Sequence, residues 1–162
     1  MNTEKILLGA GCFWGVEHII KKMEGIVSTK VGYSGGDVKD PTYPMVCTGT
    51  TGHAEVVLVE YNPAIISTAK VLDLFFRLHD PTTVNRQHND IGTQYRSVIF
   101  YFNEEQKKIA EEVIAKLNEA KTFKDKVITQ VIVASDFYSA EDYHQDYLDK
   151  NPDGYMCHIL RS

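Results

Sequence analysis

The alternation of short apolar runs with amphipathic stretches constrains the fold of this chain more than any other feature. Short runs rich in β-branched and aromatic residues predict strands, and apolar residues at helical spacing predict helices between them. The predicted strands are residues 5–8, 26–33, 54–61, 95–102 and 127–134. Four helices are predicted. The first begins near Val16 and ends at Gly25, and the second follows the N-cap Ser67. The third follows the capping box of Asn103 and Gln106, and the last begins near Ser139 and Asp142.

The resulting order, β-α-β-β-α-β with an added helix and strand, is typical of a mixed α/β (α+β) fold. We expect a split βαβ, ferredoxin-like two-layer sandwich with added helices, long loops and a coiled C-terminal tail. A length of 162 residues suits one domain with a real core. The prediction is therefore a single catalytic domain over residues 1–162, with the tail at about 149–162.

Composition and charge exclude several classes of function. The net charge of -5 offers no basic surface for nucleic acid, and the apolar runs are far shorter than the roughly 20 residues that span a bilayer. No signal peptide is recognisable at the N-terminus. Three cysteines, an odd number without zinc-hook spacing, argue against a metal site and favour a reducing compartment. We expect a cytoplasmic monomer without a metal.

Two long polar loops, residues 34–52 and 79–94, interrupt the predicted elements. Loops of this length inside a compact domain are usually functional or disordered. Because these two loops carry Tyr, Asp, His and Asn side chains as well as the usual linker residues, we expect them to contribute to a site.

Cys12 lies at the corner where the first strand gives way to the first helix, between Gly11 and Phe13. Free N–H groups and the positive end of a helix stabilise a thiolate at such a place, so Cys12 is a candidate nucleophile. The alternative is a small buried apolar residue. Phe13 and Trp14 cannot both join the predicted core stripe, so they either wall a pocket beside the sulfur or form a hydrophobic staple.

Residues 11–15, GCFWG, resemble the signature of the peptide methionine sulfoxide reductase type A family. The similarity continues in order and spacing over nearly the whole chain. The matching blocks are VGYSGG (31–36), PTY (41–43), TGHAEVV (51–57), HDPTTVNRQ (79–87), NDIGTQYRSVI (89–99) and NPDGY (151–155). Together these blocks are far more specific than any one of them.

The resemblance implies an enzyme that reduces methionine S-sulfoxide, both peptide-bound and free, and so repairs oxidised proteins. It assigns the attacking thiol to Cys12, which becomes a sulfenic acid. It assigns the proton donor to Glu55, assisted by the hydroxyls of Tyr43 and Tyr95, with Asp90 orienting the site. Residues of these types also have ordinary structural roles: an exposed charge for Glu55, a loop aromatic for Tyr43, strand packing for Tyr95 and an Asx turn for Asp90.

The resemblance also implies that Phe13 and Trp14 bind the methyl group of the substrate and so select the S epimer. Exchanging the oxygen and the methyl group would leave buried polar groups unpaired, which is the physical basis of that selectivity. No cofactor is expected to be bound. His53, close to Glu55 in the chain, is expected to form hydrogen bonds within its loop and is assigned no catalytic role.

A second thiol must condense with the sulfenic acid to reset such an enzyme. We predict Cys157, since it lies in a tail that can move towards Cys12, with Cys47 as the alternative. The expected reductant of the Cys12–Cys157 disulfide is thioredoxin, or dithiothreitol in vitro. Two residues depart from the family pattern: Met156 separates Cys157 from the GY pair, and His88 stands where glycine is usual.

Two other classes of function remain open on the residues alone. A cysteine hydrolase or acyltransferase would combine Cys12 with a histidine base, for which His53 is the candidate. A non-catalytic module would use the aromatic residues only to bind a sulfoxide.

Overall fold

The computed structural model describes residues 2–156 and 158–161. Eight strands and five helices lie in this part of the chain. The strands are β1 Glu4–Ala10, β2 Ile26–Ser34, β3 Ala54–Tyr61, β4 Arg86–Gln87, β5 Asp90–Ile91, β6 Ser97–Tyr101, β7 Gln130–Val133 and β8 Phe137–Ser139. The helices are α1 Phe13–Ile20, α2 Tyr43–Cys47, α3 Thr68–Arg77, α4 Glu104–Glu119 and α5 Tyr147–Lys150. Short 3₁₀ turns cover Thr93–Tyr95 and Asp142–His144.

Six strands form one sheet in the order β7-β6-β1-β3-β2-β8, while β4 and β5 form a separate hairpin. The four central strands β6, β1, β3 and β2 are antiparallel to one another, so β1-α1-β2 straddles β3 and β3-α3-β6 straddles β1. These are the two split β-α-β units of the predicted ferredoxin-like sandwich, which is confirmed. Strand β7 adds to β6 in parallel after α4, and β8, which was not predicted, adds antiparallel to β2.

The core lies mainly between the sheet and the helices. Along β1, Ile6, Leu8 and Ala10 face the helices, whereas Leu7 faces the opposite side, and all four are fully buried. Helix α1 contributes Phe13, Val16 and Ile20 to the helix-side core, and α3 contributes Val71, Leu72, Phe75 and Phe76. Burying each large apolar side chain of this kind stabilises the fold by roughly 1.5–3 kcal/mol.

Helix α1 begins at Phe13 rather than at Val16, because Cys12 has the non-helical backbone of an N-cap, with φ -57° and ψ 120°. Phe13 thereby joins the core stripe of Val16 and Ile20, one turn and two turns further on. Phe13 is buried and Trp14 is only partly buried, so the two aromatics do not both join the core stripe, as predicted.

The two predicted loops contain short elements that periodicity does not reveal. Residues 34–52 include α2, which begins at Tyr43 after the N-cap Thr42, whose hydroxyl accepts the Met45 N–H. Residues 79–94 include the β4–β5 hairpin, where the buried Gln87 accepts the Asp80 N–H at 2.9 Å. Both segments are therefore ordered parts of the domain.

Two strand boundaries differ from the prediction. Tyr95 ends a 3₁₀ turn, and β6 begins only at Ser97. Strand β7 begins at Gln130 instead of residue 127, because the backbone N–H groups before it are used elsewhere. The Val127 N–H donates to Asn118 Oδ1 and the Ile128 N–H donates to the Pro81 carbonyl, both at 2.9 Å.

We expect Asn103→Ala to lower the free energy of unfolding by about 1 kcal/mol. Asn103 Oδ1 accepts the Gln106 N–H at 2.8 Å and so satisfies one of the free donors at the start of α4. Urea denaturation measures the change, with Asn103→Ser as the control that keeps a capping oxygen. Equal stability of the alanine variant and the wild type would contradict the capping role.

Candidate active site

Cys12 lies between the end of β1 and the first turn of α1. Gly11 before it has φ +95°, a left-handed backbone that favours glycine and turns the chain sharply into the helix. Cys12 is 6% exposed. Its place at the N-terminus of α1 puts the sulfur beside the positive end of the helix, where negative charge is stabilised.

Glu55, the second residue of β3, lies at the same helix end. Its Oε1 accepts the Phe13 N–H at 3.2 Å, and its Oε2 has no hydrogen-bond partner among residues 2–156 and 158–161. The side chain is 1% exposed. Burial, supported by the charge of Asp90 and opposed by the Phe13 N–H, raises the pKa of Glu55 to about 8. The carboxyl group is therefore largely protonated at neutral pH and holds a proton beside Cys12.

Tyr43 and Tyr95 lie around this carboxyl group. Burial and the charge of Glu55 raise the pKa of both hydroxyls well above the ordinary tyrosine value, so both remain O–H donors. Tyr95 is also close enough to Asp90 and Cys12 to interact electrostatically with each. The structure thus brings the five predicted catalytic residues, from β3, α2, β5, the 3₁₀ turn and the corner before α1, to one place.

An aromatic cluster flanks this group of residues. Trp14 stacks on Tyr147, with ring centroids 3.9 Å apart and planes within 10°, and lies 6.3 Å from the ring of Tyr43. Phe13 packs 5.7 Å from Tyr33 and 5.3 Å from His144 on the buried side. Trp14 is partly exposed, as are Tyr43 and Tyr147, whereas Phe13 is enclosed in the core.

Several residues of this region were missed in the sequence. Glu141 accepts the Tyr43 N–H and the Tyr33 hydroxyl, each at 2.9 Å, and so holds α2 against the sheet. Burial alone would raise the pKa of Glu141, but the hydrogen bonds together lower it and keep the side chain a carboxylate. His144 and Tyr147 contact Trp14. The one available signal was the density of aromatic and titratable side chains in residues 140–148.

The C-terminal tail docks against the corner that carries Cys12. The His158 ring nitrogen Nε2 donates to the Ala10 carbonyl at 2.7 Å, and the side chain is 1% exposed. A Cβ atom at Gly15 would lie 2.5 Å from His158 Nδ1, so glycine leaves room for this ring. Tyr155 donates to Asp90 Oδ2 at 3.3 Å. Cys157, the predicted resolving cysteine, lies outside the described residues.

Cys47 ends α2 and is exposed. Desolvation and the charges of Glu55 and Glu141 raise the pKa of its thiol, while a hydrogen bond with the Tyr43 side chain opposes the change. A raised pKa leaves less of the thiolate that sulfur chemistry requires.

The two residues that depart from the family pattern lie at the edge of this region. His88 occupies the turn between β4 and β5 with φ +52°, a backbone conformation that favours glycine. Its charge acts on His158, so it lies beside the docked tail. Met156 is 41% exposed.

The histidine required by the hydrolase hypothesis is already engaged. His53 Nδ1 accepts the Gly36 N–H at 3.0 Å, and Nε2 donates to the Val38 carbonyl at 2.6 Å. Both ring nitrogens are thus used within the loop, as expected from the sequence, and neither is available to take a proton from Cys12.

Within the part of the chain that the structure describes, no group of three His, Cys, Asp or Glu side chains is arranged to hold a metal ion. No helix in residues 2–156 and 158–161 combines the length and the apolar character needed to cross a membrane.

The fold and the site are those of a thiol-dependent oxidoreductase. The family model described as peptide methionine sulfoxide reductase matches residues 4–162. A peptide methionine sulfoxide reductase MsrA of Methanothermobacter thermautotrophicus is 52% identical over 158 residues, which cover 98% of this chain and 93% of that protein. The chain belongs to the peptide methionine sulfoxide reductase family. The hydrolase and the binding module, which the residues alone left open, have no support from this membership.

Solved structures agree with the sequence relatives. Mxr1 from Saccharomyces cerevisiae in reduced form superposes with a TM-score of 0.94 at 42% identity, covering 99% of this chain and 93% of that one. Mxr1 in complex with Trx2 has a TM-score of 0.67 at 28% identity, covering 99% of this chain and 91% of that one. The ferredoxin-like arrangement with its added elements is therefore the fold of this family.

The raised pKa of Glu55 has a measurable effect on stability. Because the folded value of about 8 exceeds the unfolded value of 4.5, the folded protein binds this proton more tightly, and its stability falls as the pH rises from about 4.5 to 8. In Glu55→Gln the side chain stays neutral. We expect equal stability of variant and wild type below about pH 4.5, and an advantage of a few kcal/mol for the variant by pH 8. Urea denaturation across this range measures the difference, and a difference independent of pH would contradict the shifted pKa.

Proposed function

We propose that the Cys12 thiolate attacks the sulfur of methionine S-sulfoxide, in peptides and as the free amino acid. The sulfoxide sulfur is reduced to the thioether of methionine, and the oxygen and a proton end on Cys12 as a sulfenic acid. The observation that carries this proposal is the buried Glu55 carboxyl group at the N-terminus of α1, where Oε1 accepts the Phe13 N–H and burial raises the pKa to about 8. Negative charge develops on the sulfoxide oxygen during the attack, and Glu55 supplies the proton that neutralises it.

Tyr43 and Tyr95 act in this proposal as hydroxyl donors to the same oxygen. Their raised pKa values keep both protonated throughout the accessible pH range. Preorganised donors of this kind stabilise charge that forms only in the transition state. Asp90 is a positioning group: it accepts the Tyr155 hydroxyl from the tail, and its charge adds a smaller contribution to the raised pKa of Glu55, which burial mainly causes.

Phe13 and Trp14 provide the apolar surface for the methyl group of the substrate. Trp14 presents its ring at the surface of the cluster, and Phe13 supports the cluster from the core. With the methyl group against the indole and the oxygen towards Glu55, the S epimer satisfies both contacts. The R epimer would place its oxygen against an apolar ring and leave a buried polar group unpaired.

Recycling uses Cys157 as the resolving thiol, followed by reduction of the Cys12–Cys157 disulfide by thioredoxin. The tail supports this choice, since His158, its neighbour in the chain, is anchored against Ala10 and Gly15 on either side of Cys12. The Mxr1 complex with Trx2 supports a thioredoxin partner. Dithiothreitol replaces it in vitro.

We also propose the domain organisation, the oligomeric state and the cellular location of the protein. The proposal is one catalytic domain over residues 1–162, with the tail from about residue 149 contributing to recycling. It acts as a cytoplasmic monomer without a bound cofactor. A reducing compartment keeps its three cysteines available as thiols.

Substitution of Cys12 and Glu55 tests the first step. We expect Cys12→Ser to abolish dithiothreitol-dependent reduction of a methyl sulfoxide peptide. Glu55→Gln, which cannot donate a carboxyl proton, should slow methionine release in a single turnover by about 10²–10⁴-fold while reduction of the disulfide stays unchanged. Glu60→Gln, on the same strand, is the matched control and should keep the wild-type rate. Equal slowing of both steps by Glu55→Gln would remove Glu55 from the role of acid.

Serine variants of Cys157 and Cys47 show which cysteine resolves the sulfenic acid, because turnover with thioredoxin requires the disulfide to form. We expect Cys157→Ser to release a stoichiometric amount of methionine and then to stall with thioredoxin, because no disulfide can form on Cys12. Cys47→Ser should turn over at the wild-type rate. Mass spectrometry after one exposure to the S-sulfoxide identifies the linked sulfurs. Stalling of Cys47→Ser instead would assign the resolving role to Cys47.

A further inference from the structure

The orientation of the Trp14 ring is fixed by a segment that is distant in the chain. The indole Nε1–H donates to His144 Nδ1 at 2.9 Å, and one ring face stacks on Tyr147 at 3.9 Å. His144 is fully buried, and burial lowers its pKa, so its neutral ring accepts the indole proton at Nδ1. Both contacts of Trp14 therefore depend on where residues 144–147 lie relative to α1.

Glu17 fastens that segment to α1. Its Oε1 accepts the Asp146 N–H at 2.9 Å, and its Oε2 accepts the Thr29 hydroxyl at 3.0 Å. Glu17 follows Trp14 by three residues on the same helix and is 1% exposed. One carboxyl group thus joins α1, β2 and the segment between His144 and Tyr147.

The backbone of Asp146 requires such a restraint. Its φ of +55° lies in the left-handed region, which costs free energy for a residue other than glycine and persists only where the surroundings enforce it. Lys21, one turn after Glu17, also binds this residue, with Nζ 2.6 Å from Asp146 Oδ1, and it binds Asp149 as well. Glu17 holds the backbone from inside, and Lys21 holds the side chains from the surface.

The proposed chemistry gives Glu17 no other purpose. A buried carboxyl group costs free energy unless its oxygens are hydrogen-bonded, and burial raises its pKa against the effect of the Asp146 and Thr29 bonds. A well-packed apolar residue often stabilises such a site equally well. What an apolar residue cannot do is accept the Asp146 N–H and set the place of Tyr147.

We propose that Glu17 is a positioning residue for the substrate site, which acts by accepting the Asp146 N–H and thereby holding His144 and Tyr147 against the Trp14 ring. The inference rests on the proposed binding of the substrate methyl group by Trp14. Loss of the Glu17 acceptor lets the indole turn away from its bound orientation, so substrate binding weakens although Cys12 and Glu55 are untouched.

The fluorescence of Trp14 tests this proposal directly, because it is the only tryptophan of the chain. In Glu17→Met, which removes both acceptors at similar size, we expect a red-shifted emission and a KM for a methyl sulfoxide substrate raised about tenfold, with kcat in dithiothreitol little changed. Glu17→Gln keeps an oxygen for the Asp146 N–H and should restore both values. Glu17→Asp, too short to reach Asp146, replaces Glu17→Met if that variant does not fold.

Gln106→Met is the matched control for lost stability. Gln106 is as buried as Glu17 and donates to the Lys5 carbonyl and the Tyr61 hydroxyl, at the far end of β1 and β3 from Cys12. It should lower stability without changing the emission or the KM. The same changes in Gln106→Met as in Glu17→Met would reduce Glu17 to a structural residue and overturn the proposal.

Trp14→Leu separates failure of this inference from failure of the proposed function. If Trp14→Leu raises the KM but Glu17→Met changes neither the emission nor the KM, positioning by Glu17 is wrong and methyl binding by Trp14 stands. If Trp14→Leu leaves the KM unchanged, methyl binding by Trp14 is wrong, and with it the effect of Glu17 on substrate. The emission of Glu17→Met then reports only whether Glu17 orients the ring.

Discussion

The hydrogen bond from the Phe13 N–H to Glu55 Oε1 joins the two halves of the site, and the rest of the site is built around it. One helix end faces two groups that can be negative, the Cys12 thiol and the Glu55 carboxyl. Burial holds the carboxyl group neutral, since it raises the pKa of Glu55 to about 8. The positive end of α1 lies beside the Cys12 sulfur, and the Glu55 carboxyl group is hydrogen-bonded to the next residue in the chain.

The topology of the sheet explains why these two residues meet. Strands β1 and β3 are antiparallel neighbours, so the end of β1 lies beside the start of β3. Cys12 follows the end of β1 and Glu55 lies near the start of β3, which brings them together although 43 positions separate them. The split β-α-β arrangement also places α1 over this strand end. The ferredoxin-like order thus brings Glu55 to the helix end that carries Cys12.

The sequence predicted the order of the main strands and helices along the chain and the helix caps well, because strand periodicity and capping are local properties. Ser67 caps α3 and Asn103 caps α4 as expected. The burial of Glu55 is not predicted by the local sequence, because glutamate is usually exposed. Only the family resemblance indicated an acid at this position. The contact of Trp14 with His144 joins residues 130 positions apart, which no local pattern reveals. Tyr95 opens the apolar run 95–102 that predicts a strand, whereas hydrogen bonds within residues 92–96 form a 3₁₀ turn there.

Gly15 carries a cost that the tail explains. Glycine inside a helix is less favourable than alanine by roughly 0.5–1 kcal/mol, and α1 accepts it in its first turn. The missing methyl group is the space that the His158 ring fills. Glycine at this position therefore makes α1 less stable by itself but allows the C-terminal tail to pack against it. The room left by one methyl group thus lets the two ends of the chain pack against each other.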